Sequence, residues 1–122
     1  MHEMSLAMGI VGEVERCLGD FGPTARATRV TIQVGRFRAV VREAMEFCFL
    51  AASRGTRAEG AELVVEEIPL VVHCAACDER WTLEEVAFFC PRCDQAVTLV
   101  SGKELLLRTI EIDEETDEED DQ

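Results

Sequence analysis

No apolar run in this chain approaches the roughly 20 residues that a membrane crossing needs, so a membrane span is not expected. The first residues lack a basic segment followed by a long apolar one, so no secretory signal is visible. A soluble cytoplasmic setting follows as the expectation, and in such a reducing compartment cysteines stay as thiols rather than disulfides. Positive charge is also scarce. Twelve Lys and Arg stand against 25 Asp and Glu, for a net charge of −13. A binder of nucleic-acid backbone needs a positive surface, so no nucleic-acid partner is expected. Eight of the acids lie in the last ten residues, Asp113 to Gln122, and without them the chain still carries −5. That end, 113–122, reads as a disordered acidic tail. Histidine occurs only twice, as His2 and His73, and no internal repeat is present.

What remains is a 122-residue chain, 48% hydrophobic, which is enough for one domain with a real core and a small inserted module. Ala7, Ile10, Val11, Val14, Cys17, Leu18 and Phe21 recur at three- and four-residue steps, which predicts an amphipathic helix ending near Gly19 to Gly22. A helix starting so near the first residue implies that residues 1 to 3 are held against the fold. Val30, Ile32 and Val34 alternate with Thr31 and Gln33, a half-buried strand. Phe37, Val40, Val41, Ala44, Met45, Phe47, Cys48 and Ala51 predict a second helix before Gly55. Leu63 to Ile68 reads as a strand stopped by Pro69, and Glu104 to Ile112 as a third strand, central because of its Leu and Ile content. The expected class is α+β: two helices packed on a small, mostly antiparallel three-stranded sheet, with an inserted zinc-ribbon-like lobe. Residues 1–72 and 99–112 form the α+β body, and 73–98 the lobe.

The lobe is defined by Cys74-Ala75-Ala76-Cys77 and Cys90-Pro91-Arg92-Cys93, two Cys-x-x-Cys pairs with twelve residues between them. A two-residue gap lets both sulfurs of a pair turn toward one ion, and two facing pairs supply a tetrahedron of thiolates. Soft sulfur favours structural zinc(II) or a lone iron over magnesium or calcium. Trp81, Phe88 and Phe89 lie between the pairs, yet so short a segment cannot bury a full core, so the metal must hold it together. Cys17 and Cys48 sit on the apolar faces of the helices and read as small buried hydrophobes. Met4, Met8 and Met45 follow the same pattern and read as core filler.

Met1-His2-Glu3 is a second donor set. The free α-amine of Met1, the peptide nitrogen of His2 and its imidazole can close two adjoining chelate rings. The peptide nitrogen or carboxylate of Glu3 can add a fourth donor. Nitrogen-rich, nearly planar sets suit nickel(II) or copper(II) rather than zinc. Against this stands the bland reading, in which His2 is an exposed polar residue near a helix start. His73, beside Cys74, is either a solvated loop residue or a transient ligand near the cysteines.

Met1-His2-Glu3-Met4-Ser5-Leu6-Ala7, Gly55-Thr56, Glu59-Gly60-Ala61, Ile68-Pro69, the four cysteines, and Ser101-Gly102-Lys103-Glu104-Leu105 together resemble the HypA/HybF family of hydrogenase maturation factors, which are nickel metallochaperones. The resemblance covers residues 1–112. It implies that His2 is the essential ligand of transient nickel(II), with Met1 and Glu3 contributing donors. It implies structural zinc at Cys74, Cys77, Cys90 and Cys93. It implies a HypB-type GTPase partner and delivery of nickel to the large-subunit precursor of a [NiFe]-hydrogenase; some members also serve urease. The expected oligomeric state is a monomer or weak homodimer. Asp94 stands where a glycine is common, no histidine follows either cysteine pair, and the acidic tail extends beyond the usual family end.

Two other functions bear on the same residues. A zinc-ribbon module for protein or nucleic-acid contact explains the cysteines but not Met1-His2-Glu3. A metallohydrolase is disfavoured because four thiolates close the coordination sphere and no general base is evident. No catalytic activity is expected.

Overall fold

The computed structural model describes residues 2–83 and 88–114. The chain packs as two compact units, Met1–Ile32 with Val40–Val65 and Leu107–Gln122, and Gln33–Ala39 with Glu66–Leu106.

The first unit contains both helices. Helix α1 spans His2–Leu18, and a short 3-10 turn, Gly19–Phe21, ends it. Helix α2 spans Arg42–Ala52 and packs against α1. The buried stripe of α1 is Ala7, Ile10, Val11, Val14 and Leu18, at the expected three- and four-residue spacing. Met45, Cys48 and Phe49 of α2 complete that core together with Val30 and Ile32.

Strand β1, Ala25–Gly35, lies between β2, Glu62–Ile68, and β6, Leu105–Glu114. Thr28 Oγ1 donates to the Glu111 carbonyl and Gly35 N–H to the Glu104 carbonyl, so β1 and β6 run antiparallel. The side-chain pairs Arg29–Glu62 and Gln33–Glu66 advance the same way on both strands, so β1 and β2 run parallel. A parallel pair needs a crossover, and α2 provides it. Of the four strand pairs among the described residues, only this one is parallel.

The second unit holds an antiparallel sheet of β4 (Glu79–Leu83), β3 (Leu70–Cys74) and β5 (Thr98–Ser101), in the order β4-β3-β5. β3 pairs from Leu70 opposite Leu83 to Cys74 opposite Glu79. A bulge between Val71 and Val72 shifts its register against β5. Gly35 passes so close to Gly102 that a Cβ there would sit 2.0 Å from the Gly102 carbonyl carbon. Only glycine permits that approach.

Several expectations change. β6 is an edge strand, not central: Leu106 is exposed, and the central place goes to β1, whose Val30, Ile32 and Val34 are buried. β1 is also longer than its apolar alternation, because the polar segment from Ala25 to Arg29 pairs too. The second helix starts at Arg42 rather than Phe37. Residues Arg36–Arg38 form a 3-10 turn, Ala39 is left-handed (φ 54), and Val41 is extended, so no helix can run through them. Met8, Phe21 and Phe47 are exposed, not core, and Cys17 is only half-buried. Cys48 and Met45 are buried as expected. Asp113 and Glu114 still belong to β6; the remainder of the tail, 115–122, lies outside the described residues.

Candidate metal centre

The four cysteines of the two Cys-x-x-Cys pairs meet at the tips of two turns. Cys74 is the last residue of β3, and the segment from it to Glu79 is the tip of the β3–β4 hairpin. Asp78 N–H donates to the Cys74 carbonyl (2.7 Å), and Asp78 is left-handed at φ 56. The second turn repeats the first. Asp94 N–H donates to the Cys90 carbonyl (2.8 Å), Asp94 is left-handed at φ 63, and Cys90 N–H donates to the Gln95 carbonyl. Aspartate tolerates this backbone better than most side chains, so the departure from glycine at position 94 leaves the turn intact.

These turns bring all four Sγ atoms within 4.8 Å of one another, with Cys74 and Cys90 buried. The Cys74–Cys93 separation is 3.5 Å and the Cys77–Cys90 separation 3.9 Å. Both are far beyond a disulfide bond of about 2.05 Å, and all four cysteines are free. A tetrahedron with metal–sulfur bonds of about 2.3 Å has sulfur–sulfur edges of about 3.8 Å, which these separations bracket. Electrostatics point the same way. The Cys90 thiol is lowered to about 7 because the N–H groups of Cys93 and Arg92 point at its sulfur. The Cys77 thiol is pushed up to about 12 by sharing with Cys93 and by burial. Four thiols this close cannot all ionise unless a cation sits among them. The donor set therefore fits a divalent, thiophilic ion.

His73 lies in β3 rather than in a loop, and its Nε2 is 3.2 Å from Asp78 Oδ1. Sequence reasoning missed Asp78. Its only signal was its place after the second cysteine of a pair, where a left-handed residue closes the turn.

At the other site, His2 is the first residue of α1, and its side chain is 53% exposed. Glu3 is buried, and its Oε2 accepts the Val41 N–H at 3.2 Å. That bond, with its own N–H, holds the Glu3 carboxyl below the usual range. The His2 Nδ1 lies 3.8 Å from Glu3 Oε1. Glu3 is thus held against the fold, while the His2 side chain faces solvent. Met1, the third member of the donor set, lies outside the described residues.

An α+β unit with two helices, together with a four-cysteine, zinc-ribbon-like lobe, defines a small metal-binding protein. Comparison with known proteins makes the class specific. The family model described as "Hydrogenase/urease nickel incorporation, metallochaperone, hypA" matches residues 1–112, and the chain belongs to this HypA family. It is 42% identical over 120 residues to the hydrogenase maturation factor HypA of Roseiflexus sp. (strain RS-1), covering 97% of each chain. It is 42% identical over 115 residues to that of Chlorobium limicola, covering 93% of this chain and 98% of the relative. In fold it is similar to the solution structure of the Ni metallochaperone HypA from Helicobacter pylori, with a TM-score of 0.66 at 19% identity, over 94% of this chain and 100% of that one.

Proposed function

We propose that this protein is a non-catalytic nickel carrier in hydrogenase maturation, binding nickel(II) at its first residues. In this reading the Met1 α-amine and the peptide nitrogen and imidazole of His2 grip the ion. Cys74, Cys77, Cys90 and Cys93 hold structural zinc. The cargo then passes, with a HypB-type GTPase, to the large-subunit precursor of a [NiFe]-hydrogenase.

The observation that carries this reading is the anchored helix start. Glu3 is tied to Val41 while the adjacent imidazole faces solvent. Backbone N–H groups in the first turn of a helix have no partner within the helix, so the His2 peptide nitrogen is available to a metal that displaces its proton. Such a chelate at an accessible terminus can load and release, whereas four converging thiolates cannot easily let go. The α-amine must shed a proton to bind, so nickel affinity rises as pH climbs through about 8.

The test is nickel titration of the protein with its native first residue, of a copy carrying extra residues before Met1, and of His2→Ala. Loss of one nickel equivalent in both altered proteins, with zinc and far-UV circular dichroism retained, is the expected result. Undiminished nickel binding in either would refute the terminal site.

A further inference from the structure

The sheet of the second unit ends in a strand whose outer edge is open. β5 is an edge strand, and no strand lies along its far side among the described residues. Its ladder to β3 pairs Val71 with Ser101 and Val72 with Leu99, so Val100 is the extra residue of a bulge. Val100 is 42% exposed. Leu99, Val100, Ser101, Lys103 and Glu104 line a concavity of about 330 Å³ along this edge. All five come from one short stretch of chain, so the concavity is a ledge beside the strand. A small-molecule site closes around its ligand and buries most of it. A ledge along an open edge instead fits an extended peptide that adds to the sheet as a strand.

The turn Arg36–Arg38 is clasped to the end of this ledge. Phe37 N–H donates to Gly102 O (2.7 Å), and Arg38 Nε donates to Lys103 O (2.9 Å). A guanidinium whose Nε is held by a carbonyl is oriented, and its two Nη groups still form a fork that matches a carboxylate. Lys103 adds an exposed ammonium. No acid pairs with either cation among the described residues. The ledge's own acid, Glu104, already accepts the Gly102 N–H at 2.7 Å. In a chain of net charge −13, two cations left over at one place are complementary to an acid-bearing partner. A lysine that guards an edge against sheet growth accounts for Lys103 alone. It does not account for a guanidinium fixed on that lysine's carbonyl. A nucleic-acid strand would need a longer run of cations than these two.

We propose that the open edge of β5 is a docking site for an extended acidic segment of a partner protein. The partner's main chain pairs along residues 99–101, a carboxylate reaches Arg38 and Lys103, and an apolar side chain covers Val100. The proposal goes beyond the nickel reading and does not rest on it, since no residue of the ledge is a metal donor.

The probe is a blocked hexapeptide of alternating glutamate and valine, carrying an uncharged dye and titrated with the zinc-loaded full chain. At about 0.15 M salt the Debye length is about 8 Å, so repulsion from the rest of the acidic chain is screened while contact pairs persist. Fluorescence anisotropy should rise to saturation by about 1 mM protein. The same peptide with glutamine for glutamate, or with N-methyl groups on alternate residues, should bind about fivefold more weakly or worse. Lys103→Gln should weaken the acidic peptide about fivefold, and R38Q/K103Q about twentyfold. Val100→Ser should weaken it about threefold. Circular dichroism and zinc content keep these results distinct from loss of the fold, and Lys103→Gln alters only an exposed side chain. No binding of the acidic peptide, equal binding of the glutamine or N-methylated peptide, or full affinity in Lys103→Gln or in R38Q/K103Q would each overturn the docking site. Displacement of the peptide by an oligothymidylate would make nucleic acid the occupant and overturn it too. So would a gain of about tenfold when the six acids within 115–121 are replaced by their amides in the full chain, since the chain's own end would then be the occupant.

Discussion

Removing the metal from the four cysteines should unfold the lobe and leave the helical unit standing, and the chain carries a separate reporter for each. Its single tryptophan, Trp81, lies in β4 opposite Val72 and beside Cys90, Pro91 and Arg92. The 28 α-helical residues of α1 and α2 dominate the signal at 222 nm, and none of them is in the cysteine lobe. Val34, Leu70 and Val72 are the buried aliphatic side chains of the second unit among the described residues. Each contributes about 1.5–3 kcal/mol on burial, so about 4.5–9 kcal/mol together. A four-thiolate zinc site contributes about 10–16 kcal/mol near pH 7. The metal term exceeds the apolar term even at the unfavourable ends of both ranges and decides whether the lobe is ordered. Chelator titration should shift Trp81 emission to the red in step with metal release, followed by a thiol-reactive dye, while ellipticity at 222 nm holds. Tryptophan emission unchanged after complete metal loss would show that packing alone keeps the lobe folded.

Three further outcomes follow from single side chains. Met45 is wholly buried between α2 and the rest of its unit, so Met45→Ala should cost about 2–5 kcal/mol in urea melts read at 222 nm. The left-handed backbone at Asp94 should accept glycine with no loss of melting temperature, while Asp94→Val should lose about 1–2 kcal/mol and weaken metal retention. Glu3 is held below its ordinary value of 4.5 by the Val41 N–H. Its contribution is present above that ordinary value and is lost as pH falls through the lower folded value. Acid unfolding of the wild type should therefore steepen below about pH 4.5, and Glu3→Gln should flatten that limb.

The parts legible in the sequence are those where one chemical requirement fixes the spacing. Two Cys-x-x-Cys pairs must converge, and their sulfurs do. The apolar stripe of α1 must face a core, and Ala7 to Leu18 does so. Periodicity failed where backbone conformation intervened. Phe37 and Val41 share a helical phase with Met45, but a left-handed Ala39 and an extended Val41 keep the helix from reaching them. It failed again at Phe47, an apolar residue on the face opposite the core, since hydrophobicity does not say which side of a helix is covered. The Leu-rich β6 was misread for the same reason: composition does not distinguish a central strand from an edge, whereas its neighbours do.

Glu3 shows how burial narrows a donor set that residue types leave open. By chemistry alone its carboxylate is as good a fourth ligand for nickel as its peptide nitrogen. In the fold one carboxylate oxygen accepts the Val41 N–H immediately before α2. A helix N-terminus favours a negative charge there. A metal drawing that carboxylate away would strip α2 of this partner, since no side chain of its own caps it. Donors that ask for no such rearrangement are the nitrogens of Met1 and His2. On the proposed reading, Glu3→Gln should therefore leave the nickel stoichiometry at one while lowering the melting temperature of the helical unit. Loss of nickel from that variant at an unchanged melting temperature would make the carboxylate a ligand instead of an anchor.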